Sequence, residues 1–280
     1  MGSTSVRPIS LAPLTVLELG PPELVACAAE VGYDAVGLRL IRATDEEPLR
    51  PTVGRTPMIR ETRRRLDDTG LTLLDIEVLR LRPDTRVLPD FARVLETGAY
   101  LGAQHALVTG NDADHSRLAD NLAELSLLAG EFGLTPSLEP MPWTDVRDVA
   151  QARAVIELSG ARNVGLLIDA IHYDRTSVTV EDLRALPVEW THYVQICDAV
   201  GERPTSIDEM RHQGRNARLL PGEGCIDLTA MLDALPAQAP ISIEAPLQWH
   251  APALVRASAA LRAARRLLAI AEPTRDRLSA

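Results

Sequence analysis

Four residues able to lend an oxygen to a cation each end a short apolar run: Glu139 in PSLEP, Asp169 in GLLID, Gln195 in YVQIC and Glu244 in ISIEA. Three carboxylates and an amide carbonyl brought together repel one another unless they are protonated, paired with a base or neutralised by a cation. An all-oxygen set suits a hard or borderline divalent ion, so one Mn²⁺ or Mg²⁺ is the expected cofactor, with Co²⁺ and Zn²⁺ left open. A single acidic residue in such a place could equally pair with an arginine or cap a helix. Four at successive strand ends point to a metal site. His172 follows Asp169 by three residues, within reach to donate a hydrogen bond to substrate or a proton to a leaving hydroxyl. Glu77 could contact substrate hydroxyls, or pair with Arg39 or Arg80.

The remaining chemistry is bounded by composition. Across 280 residues, 29 basic side chains stand against 39 acidic ones, and every basic one is Arg. Without lysine there is no Schiff base with a carbonyl substrate, no P-loop and no usual link to pyridoxal phosphate. An anionic substrate group would have to meet Arg, backbone N–H groups or the metal. Arg39 and Arg218 are the candidates, since a guanidinium fork matches carboxylate or phosphate. Trp143 and Trp249 follow ligand glutamates closely enough to wall a pocket. A net charge of −10 without a basic tract argues against nucleic acid as a partner. Cys27, Cys197 and Cys225 form no CxxC pair, which points to free thiols and a reducing cytoplasm. The opening MGSTSVRP lacks the apolar stretch of a secretory leader. Arg256, Arg262, Arg265 and Arg266 interrupt Ala251–Ile270, so that segment reads as an amphipathic helix and no membrane partner is expected.

The elements that must position these residues repeat. Gly32, Gly70, Gly102, Gly133 and Gly160 each close a helical pattern just before an apolar run, and the gaps suit one strand plus one helix. Leu24, Val25, Ala28 and Val31 share one helical face after Pro21 and Pro22; Phe91, Val94 and Leu95, then Leu118, Leu122 and Leu125, do the same later. The strands are Val-, Ile- and Leu-rich runs: Pro8–Ala12, Ala35–Ile41, Leu71–Val78, His105–Thr109, Pro136–Glu139, Val164–Asp169, His192–Ile196 and Ile241–Glu244. Eight strands, each followed by a helical segment, predict an α/β protein: one (β/α)₈ TIM barrel over residues 1–280. A doubly wound sheet is the alternative, but it would usually carry GxGxxG after an early strand, and none occurs. In a barrel, side chains at the C-terminal strand ends line the active-site mouth.

LEPMPW around Glu139, IDAIHYDR around Asp169 and His172, VQICDA around Gln195 and Asp198, RLLPGEGCID from Arg218 to Asp227, and ISIEAP around Glu244 occur in this order. In that order they resemble the xylose-isomerase-like superfamily of metal-dependent barrels, the sugar phosphate isomerases/epimerases. It includes ketose 3-epimerases, inosose dehydratase and 3-dehydroshikimate dehydratase. The resemblance extends from about Ile9 to Ile270. It implies that Glu139, Asp169, Gln195 and Glu244 bind one divalent ion, and that Glu139 and Glu244 flank the substrate and shuttle its proton. The third ligand of that family is most often His, so Gln195 is a departure, one shared with some dehydratase members. Homo-oligomers are common among similar proteins.

Two enzyme readings follow. A metal-dependent isomerase or epimerase would remove a proton beside the carbonyl of a sugar or related polyhydroxy compound, through an enediolate, and return it. A dehydratase of a cyclic keto-acid or inosose would instead lose a β-hydroxyl. The four ligands serve both. A DNA-repair endonuclease of the same superfamily would need a histidine-rich metal cluster and a basic face, which this acidic chain lacks. A non-catalytic ligand-binding barrel is the fourth reading. Asp198 could orient the metal shell or bind Arg, and His250 is the second choice for catalysis after His172. Specificity is expected from Arg42–Pro57, Arg80–Pro89 and Val200–Arg218, and the PGEG turn at 221–224 reads as a plain tight turn.

Overall fold

The computed structural model describes residues 7–176 and 178–278, with side chains as far as residue 269. Residues 1–6, most of the opening MGSTSVRP, lie outside the described residues.

Apolar runs become parallel strands: β1 (Ile9–Leu11), β2 (Ala35–Arg39), β3 (Thr72–Leu81), β4 (His105–Gly110), β5 (Thr135–Glu139), β6 (Gly165–Leu166), β7 (Ile168–Asp169), β8 (Val194–Ile196) and β9 (Ile241–Ile243). Their order in the sheet is β6-β5-β4-β3-β2-β1-β9-β8-β7. Only Leu167 separates β6 from β7, and its N–H donates to the Leu138 carbonyl at 2.9 Å. These two are halves of one barrel strand, so the ring closes as an eight-stranded TIM barrel.

Between the strands run α1 (Pro21–Val31), α2 (Pro57–Thr69), α3 (Val87–Leu101), α4 (His115–Glu131), α5 (Val149–Ser159), α6 (Ala170–Arg175), α7 (Val180–Arg184), α8 (Ile207–Asn216) and α9 (Leu228–Asp233), and α10 (Ala253–Leu278) follows the last strand. Their starts are written in capping residues. Thr56, Asp114 and Asp148 accept backbone N–H groups at the first turns of α2, α4 and α5. At the end of α1, Gly32 takes φ 91°, a left-handed conformation that costs glycine nothing. No helix among the described residues is long and apolar enough to cross a membrane. All three cysteines are free thiols.

Alternation along the strands sorts the side chains. One set, including Leu11, Leu38, Leu79, Val108, Val194 and Ile241, is buried in the main apolar core. The other set points into the barrel. Its lower layer is largely polar: Ser10, Asp75, Ser137, Tyr193 and Ser242 are buried beside Leu107 and Leu167, and none of the five polar residues' side-chain oxygens has a protein partner. Two residues further up the same strands come Glu77, Glu139, Gln195 and Glu244, and Asp169 stands two beyond the inward Leu167.

Two segments differ from the sequence expectation. β3 continues to Leu81 rather than Val78, because its register with β4 shifts between Ile76 and Leu79. The stretch Val200–Arg218, read as loop, contains α8, whose start is capped by Ser206 accepting the Glu209 N–H.

Candidate metal and substrate site

Glu139 and Asp169 are the last residues of β5 and β7, Gln195 sits in β8, and Glu244 follows β9. All four are buried at the barrel mouth. One ligand atom each from Glu139, Asp169 and His172 lie within 4.8 Å of one another. The Gln195 amide reaches 3.2 Å from Glu139 Oε1 and 3.3 Å from Asp169 Oδ2. With nitrogen inward it donates to both carboxylates; with oxygen inward it joins them in an oxygen-rich cradle. His172 reaches this cluster because Asp169 caps α6: Asp169 Oδ1 accepts the N–H groups of Ile171 and His172 at 2.9 and 3.3 Å. Its Nε2 lies 3.7 Å from Glu139 Oε1, and its Nδ1 is buried without a partner. Trp143 meets the imidazole edge-on, ring centres 4.8 Å apart.

Glu244 is held differently. Arg218 donates to Asp169 Oδ2 at 2.6 Å and pairs with Glu244 Oε2 at 2.8 Å, while its Nε donates to the Gly214 carbonyl at 2.6 Å. Arg39 in turn pairs with Glu77 at 2.8 Å and Glu47 at 2.7 Å. Both arginines expected to meet an anionic substrate are thus engaged with carboxylates. Glu77, for which two partners were open, pairs with Arg39 rather than Arg80.

The electrostatics follow from burial. Desolvation, then the charges of Asp169 and Glu244, hold the Glu139 carboxyl well above the usual range. Burial raises Glu244 to about 7, reinforced by Glu77 and Asp169 and opposed by Arg218. Burial also works against ionised Asp169, but Arg218 and His172 keep its carboxyl below the ordinary value. Burial pushes His172 down to about 4, against the pull of Asp169, leaving a neutral imidazole at pH 7. Three carboxylates (Glu139, Asp169 and Glu244) meet around Gln195 with one guanidinium in contact, that of Arg218, a surplus of two negative charges when all are ionised. Oxygen donors, a neutral imidazole and this surplus fit one divalent ion.

A cavity of about 610 Å³ opens over the cluster. Arg39, Glu77, Glu139, Trp143, His172, Arg218 and Glu244 all line it. Trp249 is half exposed and lines a different depression, and His250 is exposed. Asp198 does not join the ring. Its oxygens accept the N–H groups of Ala199, Gly222 and Ile226 at 2.9, 3.1 and 3.0 Å, tying down the PGEG segment. Arg80 and Arg215, which sequence reasoning left inside loops, also line the cavity.

Residues 25–267 match the family model described as xylose isomerase-like TIM barrel. The chain is 29% identical over 200 residues to the 3-dehydroshikimate dehydratase of Pseudomonas aeruginosa, covering 66% of this chain and 31% of that protein. It is 26% identical over 159 residues to the inosose isomerase of Bacillus velezensis, covering 53% and 55%. It therefore spans about a third to just over half the length of these curated relatives. A solved structure described as IOLI protein with a binding zinc atom superposes with a TM-score of 0.75 at 21% identity, over 92% of this chain and 96% of that one. At that identity the likeness speaks for the fold alone.

Proposed function

Because this chain belongs to the xylose isomerase-like TIM barrel family, we propose that it is a divalent-metal-dependent isomerase or epimerase of a sugar or related polyhydroxy carbonyl compound. The observation that carries the reading is the surplus of carboxylate over guanidinium around the converging Glu139, Asp169 and Gln195. One divalent ion held there, with Glu244 as the fourth ligand, would balance it; Mn²⁺ or Mg²⁺ suits the oxygen-rich set, and Co²⁺ or Zn²⁺ is also accommodated. Such an ion supplies a Lewis acid for a carbonyl oxygen.

The chain's own residues do the rest. Glu139 and Glu244, both buried and both lining the cavity, are the proton-transfer pair: one takes the proton from the carbon beside the carbonyl, leaving an enediolate, and the other returns a proton. Neutral His172 donates to a substrate oxygen, its ring held by Trp143. Arg39, Glu77, Arg218 and Trp143 are the proposed substrate contacts, Arg218 also fixing Asp169 and Glu244 in position. The free thiols accord with a cytoplasmic setting.

A dehydratase, in which the same proton removal is followed by loss of a β-hydroxyl, is the second reading. It is supported by the 29% identity to 3-dehydroshikimate dehydratase and by an amide in place of imidazole at Gln195. Incubation with Mn²⁺ in D₂O against ketoses, inososes and 3-dehydroshikimate separates the two. Deuterium at carbon without new absorbance is the isomerase outcome, and a conjugated product is the dehydratase outcome. Neither signal on any substrate, or turnover unchanged in Glu244→Gln, contradicts both.

A further inference from the structure

Arg80 and Arg215 stand apart from the other arginines of the cavity wall. Arg39 and Arg218 are each locked between carboxylates. Neither guanidinium of Arg80 or Arg215 makes an ion pair or a hydrogen bond among the described residues, although both are half-buried and both line the cavity over Glu139 and Glu244. Exposed arginines often go unpaired because water solvates them. A half-buried guanidinium loses part of that solvation without compensation.

Two separately built elements bring them there. In β3 the register shift between Ile76 and Leu79 re-aims the strand beyond Glu77. Leu79 and Leu81 turn into the main apolar core, while Val78 and Arg80 face the cavity. Arg215 sits in the last turn of α8. That turn is clamped from below: Arg175 donates to Gln213 Oε1 at 3.1 and 3.0 Å, and Arg218 holds the Gly214 carbonyl.

We propose that Arg80 and Arg215 form an oxyanion subsite that seats a carboxylate or phosphate carried by the substrate, so that the compound acted on is an acid rather than a neutral sugar. The subsite rests on the proposed function only for the identity of the ligand's other end, which would lie over Glu139 and Glu244. The neighbouring charges fit it. Burial, then Arg215, Arg82 and Arg39, push Arg80 down to about 10, and burial and Arg39 lower Arg215 as well. Of the acidic groups that line the same cavity, Glu46 and Glu47 are the ones that act on them through space, while Glu77 is committed to Arg39. Glu47 is committed to Arg39 and to the Ala43 N–H at 2.9 Å, and Glu46 is exposed at the rim. A planar fork from each side is suited to an anion's oxygens.

The test uses two cyclohexane polyols, quinate, which carries a carboxylate, and myo-inositol, which is neutral, titrated calorimetrically into the Mn²⁺-treated protein at low ionic strength. Arg80→Gln and Arg215→Gln are each expected to weaken quinate by about tenfold or more while leaving myo-inositol within about twofold, and Arg80→Lys should recover part of the loss. Acetate and inorganic phosphate compete in separate arms, and whichever displaces quinate at the lower concentration identifies the anion. Both variants should keep the wild-type melting temperature or exceed it, because like charge is removed. Quinate binding unchanged in the variants overturns the subsite. So does an equal loss of quinate and myo-inositol, or a wild-type protein that binds neither quinate nor phosphate at about 10 mM. Mn²⁺ uptake is measured in parallel: a protein that takes no metal yet loses quinate on Arg80→Gln retains the anion subsite and refutes the metal reading.

Discussion

Replacing Arg218 by Met should leave two buried carboxylates without their counter-ion. In the wild type its guanidinium, with the side chain 2% exposed, neutralises Asp169 at 2.6 Å and Glu244 at 2.8 Å. Met fills much of the stem volume, so the cost arises from charge rather than from a cavity. Removing one partner of a buried ion pair costs about 3–5 kcal/mol, and here one residue serves two carboxylates. At about 2 °C per kcal/mol for a chain of this size, the melting temperature in chelator at pH 7 should fall by about 6–10 °C. The gap should narrow under two conditions. Asp169 is held below its ordinary value in the wild type, so Arg218 contributes stability above pH 3.8 that is lost as pH falls through the depressed value. The variant lacks that term, and the two proteins should converge in acid. At pH 7, about 1 mM Mn²⁺ should raise the variant more than the wild type, since the ion neutralises the same carboxylates. Scanning calorimetry in chelator and in Mn²⁺, across pH, measures all three. A gap under about 2 °C in chelator, or one indifferent to pH, would refute the assignment of Arg218 as their counter-ion.

Burial and stacked His192, 5.1 Å away, hold His105 down at about 3. The unfolded chain takes up that proton near 6.5 and the folded one does not, so stability is whole above 6.5 and falls by about 1.4 kcal/mol per pH unit below it. His105→Phe should flatten the acid limb of the melting curve between about pH 6 and 4, and an unchanged slope would count against this. Asp198→Ala strands three backbone N–H groups at about 1–3 kcal/mol each, and should open the 221–227 segment to proteolysis. A wild-type melting temperature and digestion pattern in that variant would contradict its anchoring role.

The barrel was legible because its signals are local. A glycine in left-handed conformation must follow a helix such as α1, and the inward-outward alternation of a strand is written every second residue. That alternation also carried Glu139, Asp169, Gln195 and Glu244 to the mouth. What escaped depends on distant partners. The register shift in β3 is set by its pairing with β4, so Arg80 looked like the start of a loop. α8 buries only Gln213 and Gly214, and its apolar face is too thin to read; Ser206 three residues before Glu209 was its one local sign. Arg218 could be recognised as a candidate contact for an anionic substrate, but its pairing with Asp169, 49 positions away, exists only in the fold. Likewise Asp198 was read for its charge, whereas its work is to hold backbone N–H groups of Gly222 and Ile226.

The central claim, one divalent ion on Glu139, Asp169, Gln195 and Glu244, is tested most directly by titrating Mn²⁺ calorimetrically into chelator-stripped protein alongside Asp169→Asn and Glu139→Gln. The expected result is one ion per chain in the wild type and an affinity lower by about a hundredfold or more in each variant. No uptake by the wild type at about 1 mM Mn²⁺, or the same affinity in all three proteins, would contradict it.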